Sequence, residues 1–217
     1  YAINTIKELQ ACIEEVREVS RGLKQLSGVL VSVFMDTAKK ALLPEIQKSI
    51  QAVFPDAQMI GAVSNGEIVS GTLLDQGVVV NFTLFEQSRV RVFSYDFYAR
   101  KSSSAGRELL SALQADREAV AVELISAGFH LDINPFLKQL SASRKKLQFF
   151  GGMADDGSLG KDGMVFTQNV QLHHGVVAVV FSGKGLHVQT SSSFGWKPLG
   201  RTMTVTKMEG EFCLQEL

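Results

Sequence analysis

The chain has little of what many function classes require. Among its 217 residues are 2 cysteines, 4 prolines, 1 tryptophan and 4 histidines, and Lys plus Arg balance Asp plus Glu at 22 each. Two cysteines near opposite ends, Cys12 and Cys213, make no disulfide framework and read as reduced apolar filler in a cytoplasmic protein. A neutral chain without a basic cluster is poor material for nucleic acid, which demands many phosphate contacts. No stretch reaches the ~18–20 uninterrupted apolar residues of a membrane span, and no apolar run follows a charged start as in a signal peptide. The chain begins at Tyr1 and stops in an apolar run (Phe212, Cys213, Leu214), so a fragment of a longer protein is expected.

Catalytic signatures are equally scarce. There is no Gly-x-Ser-x-Gly elbow, and neither cysteine has a histidine signature nearby. Gly160-Lys161-Asp162 and Gly183-Lys184-Gly185 lack the earlier glycine and the following Ser or Thr of a phosphate loop, so both read as turns. His173 and His174 are adjacent, and adjacent side chains on a strand point to opposite faces, which prevents joint chelation. His130 and His187 have no ligand-spaced partner. Asp155-Asp156 lacks the spacing of a calcium loop. An enzymatic role would leave Glu67 or Asp155 as acid or base without a partner, so the chain reads as a binding protein with no resident metal.

What the chain does have is a repetition. Gly61-Ala62-Val63-Ser64-Asn65-Gly66-Glu67-Ile68 returns 91 residues later as Gly152-Met153-Ala154-Asp155-Asp156-Gly157-Ser158-Leu159. The same offset carries Val29-Leu30-Val31 onto Val120-Ala121-Val122 and Pro44 onto Pro135, the pattern of an internal duplication. The expected units span about 26–95 and 117–190. Each runs strand, helix, strand, then hairpin, giving an α+β fold of mixed sheets with helices on the outside. With 217 residues the chain buries roughly 70% of its unfolded surface, enough for a core without staples.

Local signals place the elements. Ile6, Leu9, Ile13 and Val16 fall at helical spacing behind a Thr5/Glu8 capping box. Val29–Phe34 is a buried strand; Pro44 opens a helix that Pro55 stops, and Gln58–Val63 is the next strand. Gly77–Phe85 and Arg89–Tyr95 are expected as a hairpin joined by Glu86-Gln87-Ser88. In the second unit Ser102–Leu113 is a helix and Val120–Ile125 a strand. Asn134-Pro135 caps a short helix, and Leu147–Phe150 leads into Gly151-Gly152. Met164–Phe166 is a strand within a seven-residue insertion. Val176–Phe181 and Leu186–Thr190 are expected as a hairpin around Ser182–Gly185, with a last strand at Met203–Lys207.

The two Gly-rich turns each follow a buried strand and add polar groups: Ser64, Asn65 and Glu67 in one, Asp155 and Asp156 in the other. Two readings stay open, tight turns where the chain leaves a sheet and loops of a ligand site lying between the copies.

At these turns the sequence resembles the FIST domain. The resemblance rests on Gly61 to Glu67, Phe150-Gly151-Gly152-Met153-Ala154-Asp155-Asp156, Val165-Phe166 and Gly175–Val179. Its closing elements are Gly195-Trp196-Lys197-Pro198-Leu199-Gly200, Val205-Thr206-Lys207 and Gly210. It covers nearly the whole chain as an N-terminal sensory domain, with residues 196–217 as the start of a connection to an absent C-terminal half. The resemblance implies a cytoplasmic input domain for a small ligand such as an amino acid or similar metabolite, coupled to an output signalling domain in the same or a partner chain. A haem-binding nitric oxide sensor and a protein-recognition adaptor are the alternatives. The candidate ligand site is Gly61, Ser64, Asn65, Glu67, Gly152, Asp155 and Asp156, with Trp196 and Arg201 as walls or clamps; the Arg201 fork suits a carboxylate.

Overall fold

The computed structural model describes residues 1–128, 131–143, 146–155, 157, 163–191, 197–209 and 213–217. After a short strand β1 (Ala2–Ile3), helix α1 (Ile6–Arg21) starts at the expected capping box, Thr5 Oγ1 accepting from the Glu8 amide and Glu8 Oε2 accepting from the Thr5 amide. Strand β2 (Gly28–Met35), a 3-10 turn (Thr37–Leu42), helix α2 (Leu43–Val53) and strand β3 (Gln58–Val63) follow. A small hairpin, β4 (Glu67–Val69) with β5 (Thr72–Leu74), precedes β6 (Val78–Phe85) and β7 (Arg89–Asp96). The second half runs α3 (Ser102–Ala115), β8 (Ala119–Ala127), α4 (Asn134–Leu140), β9 (Gln148–Ala154), β10 (Val165–Thr167), β11 (Gln171–Leu172) and β12 (Gly175–Ser182). Strands β13 (Lys207–Glu209) and β14 (Cys213–Glu216) pair with each other in the exposed tail.

Two sheets pack face to face with helices outside them. The first has order β1-β6-β2-β3-β10-β11 and the second β7-β12-β8-β9. Strand β2 is apolar on both sides, but for Ser32, because both its faces are covered. Val29, Val31, Val33 and Met35 meet α1 and α2 (Leu9, Ile13, Ile46, Ile50), while Leu30 and Phe34 face the second sheet. The second sheet repeats the arrangement: Ile125, Val177 and Val179 face inward, and Val122, Leu124 and Val180 meet Leu109, Leu113 and Phe136 of α3 and α4. Three apolar layers therefore separate four structural ones, the α+β architecture expected.

Within the sheets, β6-β2-β3 and β12-β8-β9 have the same order and senses, the middle strand antiparallel to the first and parallel to the third. The ladders correct the glycine alignment by one residue. Val33 lies opposite Gly61 and Leu124 opposite Gly151, so Gly151 rather than Gly152 holds the position equivalent to Gly61. A slip of one residue moves a side chain to the other face of a sheet, and both ladder glycines are there for the same reason. A Cβ at Gly61 would stand 2.2 Å from the Val33 carbonyl oxygen, and one at Gly151 1.8 Å from that of Leu124.

Both expected hairpins are absent. Instead of returning along β6, the chain turns a corner after Phe85 and enters the other sheet as β7, which pairs with β12. Ser27 binds that corner, its hydroxyl donating to the carbonyl oxygens of Phe85 (2.9 Å) and Ser88 (2.7 Å). Both strands bury residues on each of their two faces, so alternation specified the strands and not their partners. Residues 186–190 form no strand because β12 already has β7 on one edge and β8 on the other. Strand β10, in the insertion, crosses to the first sheet and pairs with β3. Asn134 is the first residue of α4 rather than its cap; Asp132 Oδ1 accepts from its amide. The tail strand starts at Lys207 rather than Met203.

Candidate functional site

The two Gly-rich turns meet, and their polar groups are largely occupied in holding themselves. Gly61 is buried within β3, with Phe166 of β10 against it: a Cβ there would lie 2.3 Å from the ring. Ser64 donates to Glu67 Oε1 (2.9 Å), and Glu67 Oε2 accepts from the Gly77 amide (3.1 Å). Glu67 is 2% exposed, and burial pushes its carboxyl above the usual glutamate range although both hydrogen bonds oppose this. The pair of bonds closes the base of the β4–β5 hairpin. Across from it, Asp155 Oδ1 accepts from the Gly157 amide (3.0 Å), closing an Asx turn. Gly157, at φ +75, packs on the Asn65 amide, to whose oxygen a Cβ would approach within 2.8 Å.

Gly152 borders a different space. A cavity of about 300 Å3 lies between α4 and the ends of β8 and β9, lined by Gly151, Gly152, Met153, Phe149, Ile133 and Ser126, among others. The Ser126 hydroxyl is buried there without a hydrogen-bond partner among the described residues. Arg201 is exposed in an irregular segment, with no ion pair among the described residues. Asp156 and Trp196 lie outside the described residues. So the fold joins Ser64, Asn65, Glu67, Asp155 and Gly157 at one place, and sets Gly152 and Arg201 apart from them.

A cleft missed by sequence reasoning lies between the two sheets. It holds about 520 Å3. The first sheet contributes Leu30, Ser32, Phe34, Val79, Asn81 and Thr83; the second contributes Glu123, Phe150 and Phe181. Ile68, Val69 and Ser70 of the β4–β5 hairpin border it as a flap, and Tyr1 stands beside them. Elsewhere the space between the sheets is filled by Ile60, Val165, Val177 and Val179. At this end the same inward faces carry a hydroxyl, an amide, a second hydroxyl and a carboxylate. Stacked rings of Phe150 and Phe181, 6.0 Å apart, form one wall. Burial alone raises the Glu123 carboxyl above its usual range, and Glu123 has no hydrogen bond or ion pair among the described residues. The signal was in the sequence: a single charge interrupts Ala121-Val122-Glu123-Leu124-Ile125, as Ser32 and Asn81 interrupt two other apolar strands.

A larger concavity, about 820 Å3, is an open groove between α1 and α2 whose rim carries Glu14, Glu45 and Lys48. It is the solvated outer seam of two packed helices and holds no unpaired buried polar group among the described residues. None of the described histidines borders any of these spaces, so none is placed to be an axial ligand to haem in them. Among the described residues no cluster of His, Cys, Asp and Glu could hold a metal, and no helix is long and apolar enough to cross a membrane. No curated protein sequence matches the chain. A family model described as FIST N domain matches residues 29–217, from β2 through the tail. The chain belongs to the FIST N domain family, a family of sensory domains in signal transduction.

Proposed function

We propose that this chain is the small-ligand-sensing input domain of a cytoplasmic signal-transduction protein, binding without catalysis, and that its ligand sits in the cleft between the sheets. The observation that carries the reading is the change from apolar filling to a polar-lined, aromatic-walled space of about 520 Å3 where the halves face each other. That size and mixture suit a small metabolite, with an amino acid as the first class to test. We read the matching strand orders of the two sheets as copies of one unit, which puts the site between duplicates. A ligand touching both sheets and the flap would bind one arrangement of the three better than others, the differential contact by which a sensor shifts a population toward its output state.

The site assignment is tested by filling the cleft. Thr83→Trp should abolish the thermal shift produced by any amino acid or metabolite that stabilises the wild-type chain. A ligand at a hundredfold its Kd raises stability by about 2.7 kcal/mol, or ~5–10 °C for a domain of this size. An undiminished shift in the folded variant would place the site elsewhere, with the cavity beside Gly152 next in line.

A further inference from the structure

We infer that the inter-sheet cleft takes a ligand with a protonated amine and no carboxylate, the ammonium held by Glu123 and the apolar body set against Phe150 and Phe181. This rests on the cleft being the ligand site. Glu123 sits in mid-strand on the inward face of β8, with Val179 of β12 on one side and Phe150 of β9 on the other. Its carboxylate borders the cleft and is unpartnered among the described residues.

Glu123 is half-buried, and two fully buried carboxylates show how this protein treats an acid that has only a structural job. Glu67 accepts from Ser64 and Gly77. Asp116 accepts from Ser182, from the Glu118 amide and from Arg89 and Arg91. Glu123 has been given nothing comparable. An unpaired carboxylate between two sheets is costly, because burial disfavours the charged form. An ammonium offers charge and three donors, which one carboxylate and neighbouring neutral acceptors can share. Ser32, Asn81 and Thr83, across the cleft, supply such neutral groups. The faces of Phe150 and Phe181 suit both a cation and an apolar arm.

The same inventory argues against a second charge on the ligand. Among the described residues no Lys, Arg or His borders the cleft. The Tyr1 amino group donates to the Val80 carbonyl oxygen (2.8 Å). A zwitterionic amino acid would therefore set its carboxylate beside Glu123 itself, with no side-chain cation among the described residues to receive it and only the Tyr1 ammonium at the rim.

The probes are phenethylamine, phenylalanine and 3-phenylpropionate, which share a ring and differ in charge, titrated by calorimetry at pH 7.5 into the chain and its variants. Phenethylamine should bind best, phenylalanine at least tenfold more weakly, and phenylpropionate not at all. Glu123→Gln should weaken the amine at least tenfold while the variant keeps its circular dichroism and melts no lower, having lost an unpaired buried charge. Glu123→Leu, which fills the space without a dipole, repeats the test. Amine binding unchanged in these folded variants overturns the inference, as does phenylpropionate binding as tightly as the amine, or no amine binding at millimolar concentration. If Thr83→Trp then blocks whatever ligand does bind, the cleft remains the site and the amine assignment alone falls. A ligand indifferent to Thr83→Trp removes the cleft reading as well.

Discussion

Truncating Glu67 to alanine should loosen the β4–β5 flap and lower the stability of the whole chain. The carboxylate is 2% exposed and satisfies two donors, Ser64 Oγ at 2.9 Å and the buried Gly77 amide at 3.1 Å. Ser64 is half-buried and can rotate its hydroxyl toward water, so its loss is small. The Gly77 amide has no other acceptor provided, and a buried donor left unmade costs about 1–3 kcal/mol. Adding the lost packing of the side chain gives about 2–3 kcal/mol, or ~5–10 °C in Tm. Glu67→Gln keeps an acceptor for Gly77 and offers Ser64 a donor, so it should stay within ~1 kcal/mol. The pH dependence separates charge from hydrogen bonding. Burial holds the folded-state pKa of Glu67 above its ordinary value of 4.5. Between those two values the folded protein keeps a proton that the unfolded chain has lost, so stability falls as pH rises through the window. That slope should flatten in Glu67→Gln. Urea titrations from pH 4 to 8, with hydrogen exchange at the Gly77 amide, measure both effects. A Glu67→Ala protein within ~0.5 kcal/mol of wild type, with the Gly77 amide still protected, would refute the reasoning.

Neighbouring glycines should behave oppositely. Gly151→Ala meets φ +136 and the Leu124 carbonyl at 1.8 Å and should cost about 3 kcal/mol, whereas Gly152→Ala meets nothing within 4 Å and should cost under ~0.5 kcal/mol by thermal melts. Asp116→Ala strands the Ser182 hydroxyl and the Glu118 amide; with Arg89 and Arg91 each about half exposed, the cost should be about 2 kcal/mol. Burial acts to raise the Asp116 pKa, but the Ser182 and Glu118 hydrogen bonds and the two arginines prevail and lower it. Its contribution is therefore present above the ordinary value of 3.8 and lost as pH falls through the lower folded value, a loss that acid titration should not find in the variant.

The elements were legible where one physical signal decided them. The capping box fixed the start of α1, Pro44 and Pro55 bracketed α2, and largely apolar runs marked β2, β3 and β12. Partners were not legible, because a strand covered on both faces carries no mark of which strand lies beside it. That is why β6 and β7 read as a hairpin and why β10 could not be assigned to the far sheet. The cleft escaped the sequence for a related reason. Polar residues in the turns drew attention, yet Ser64, Glu67 and Asp155 are needed by their own backbone. Glu123 was passed over as one letter in an apolar strand, and only the facing sheet reveals that it opens onto a cleft.

The crossing of β10 has a consequence for how the protein is made. A ribosome delivers the chain from its N-terminus, so β2, β3 and β6 emerge before the strand that completes their sheet. Until Val165–Thr167 arrives, the nascent chain carries β3 with a bare, apolar edge, the feature most prone to pairing with the wrong neighbour. The first half is thus not a self-sufficient folding unit, however much it looks like one copy of a repeat. Closing its sheet must wait for a contact between distant parts of the chain, the kind of non-local pairing whose loop-closure entropy slows folding.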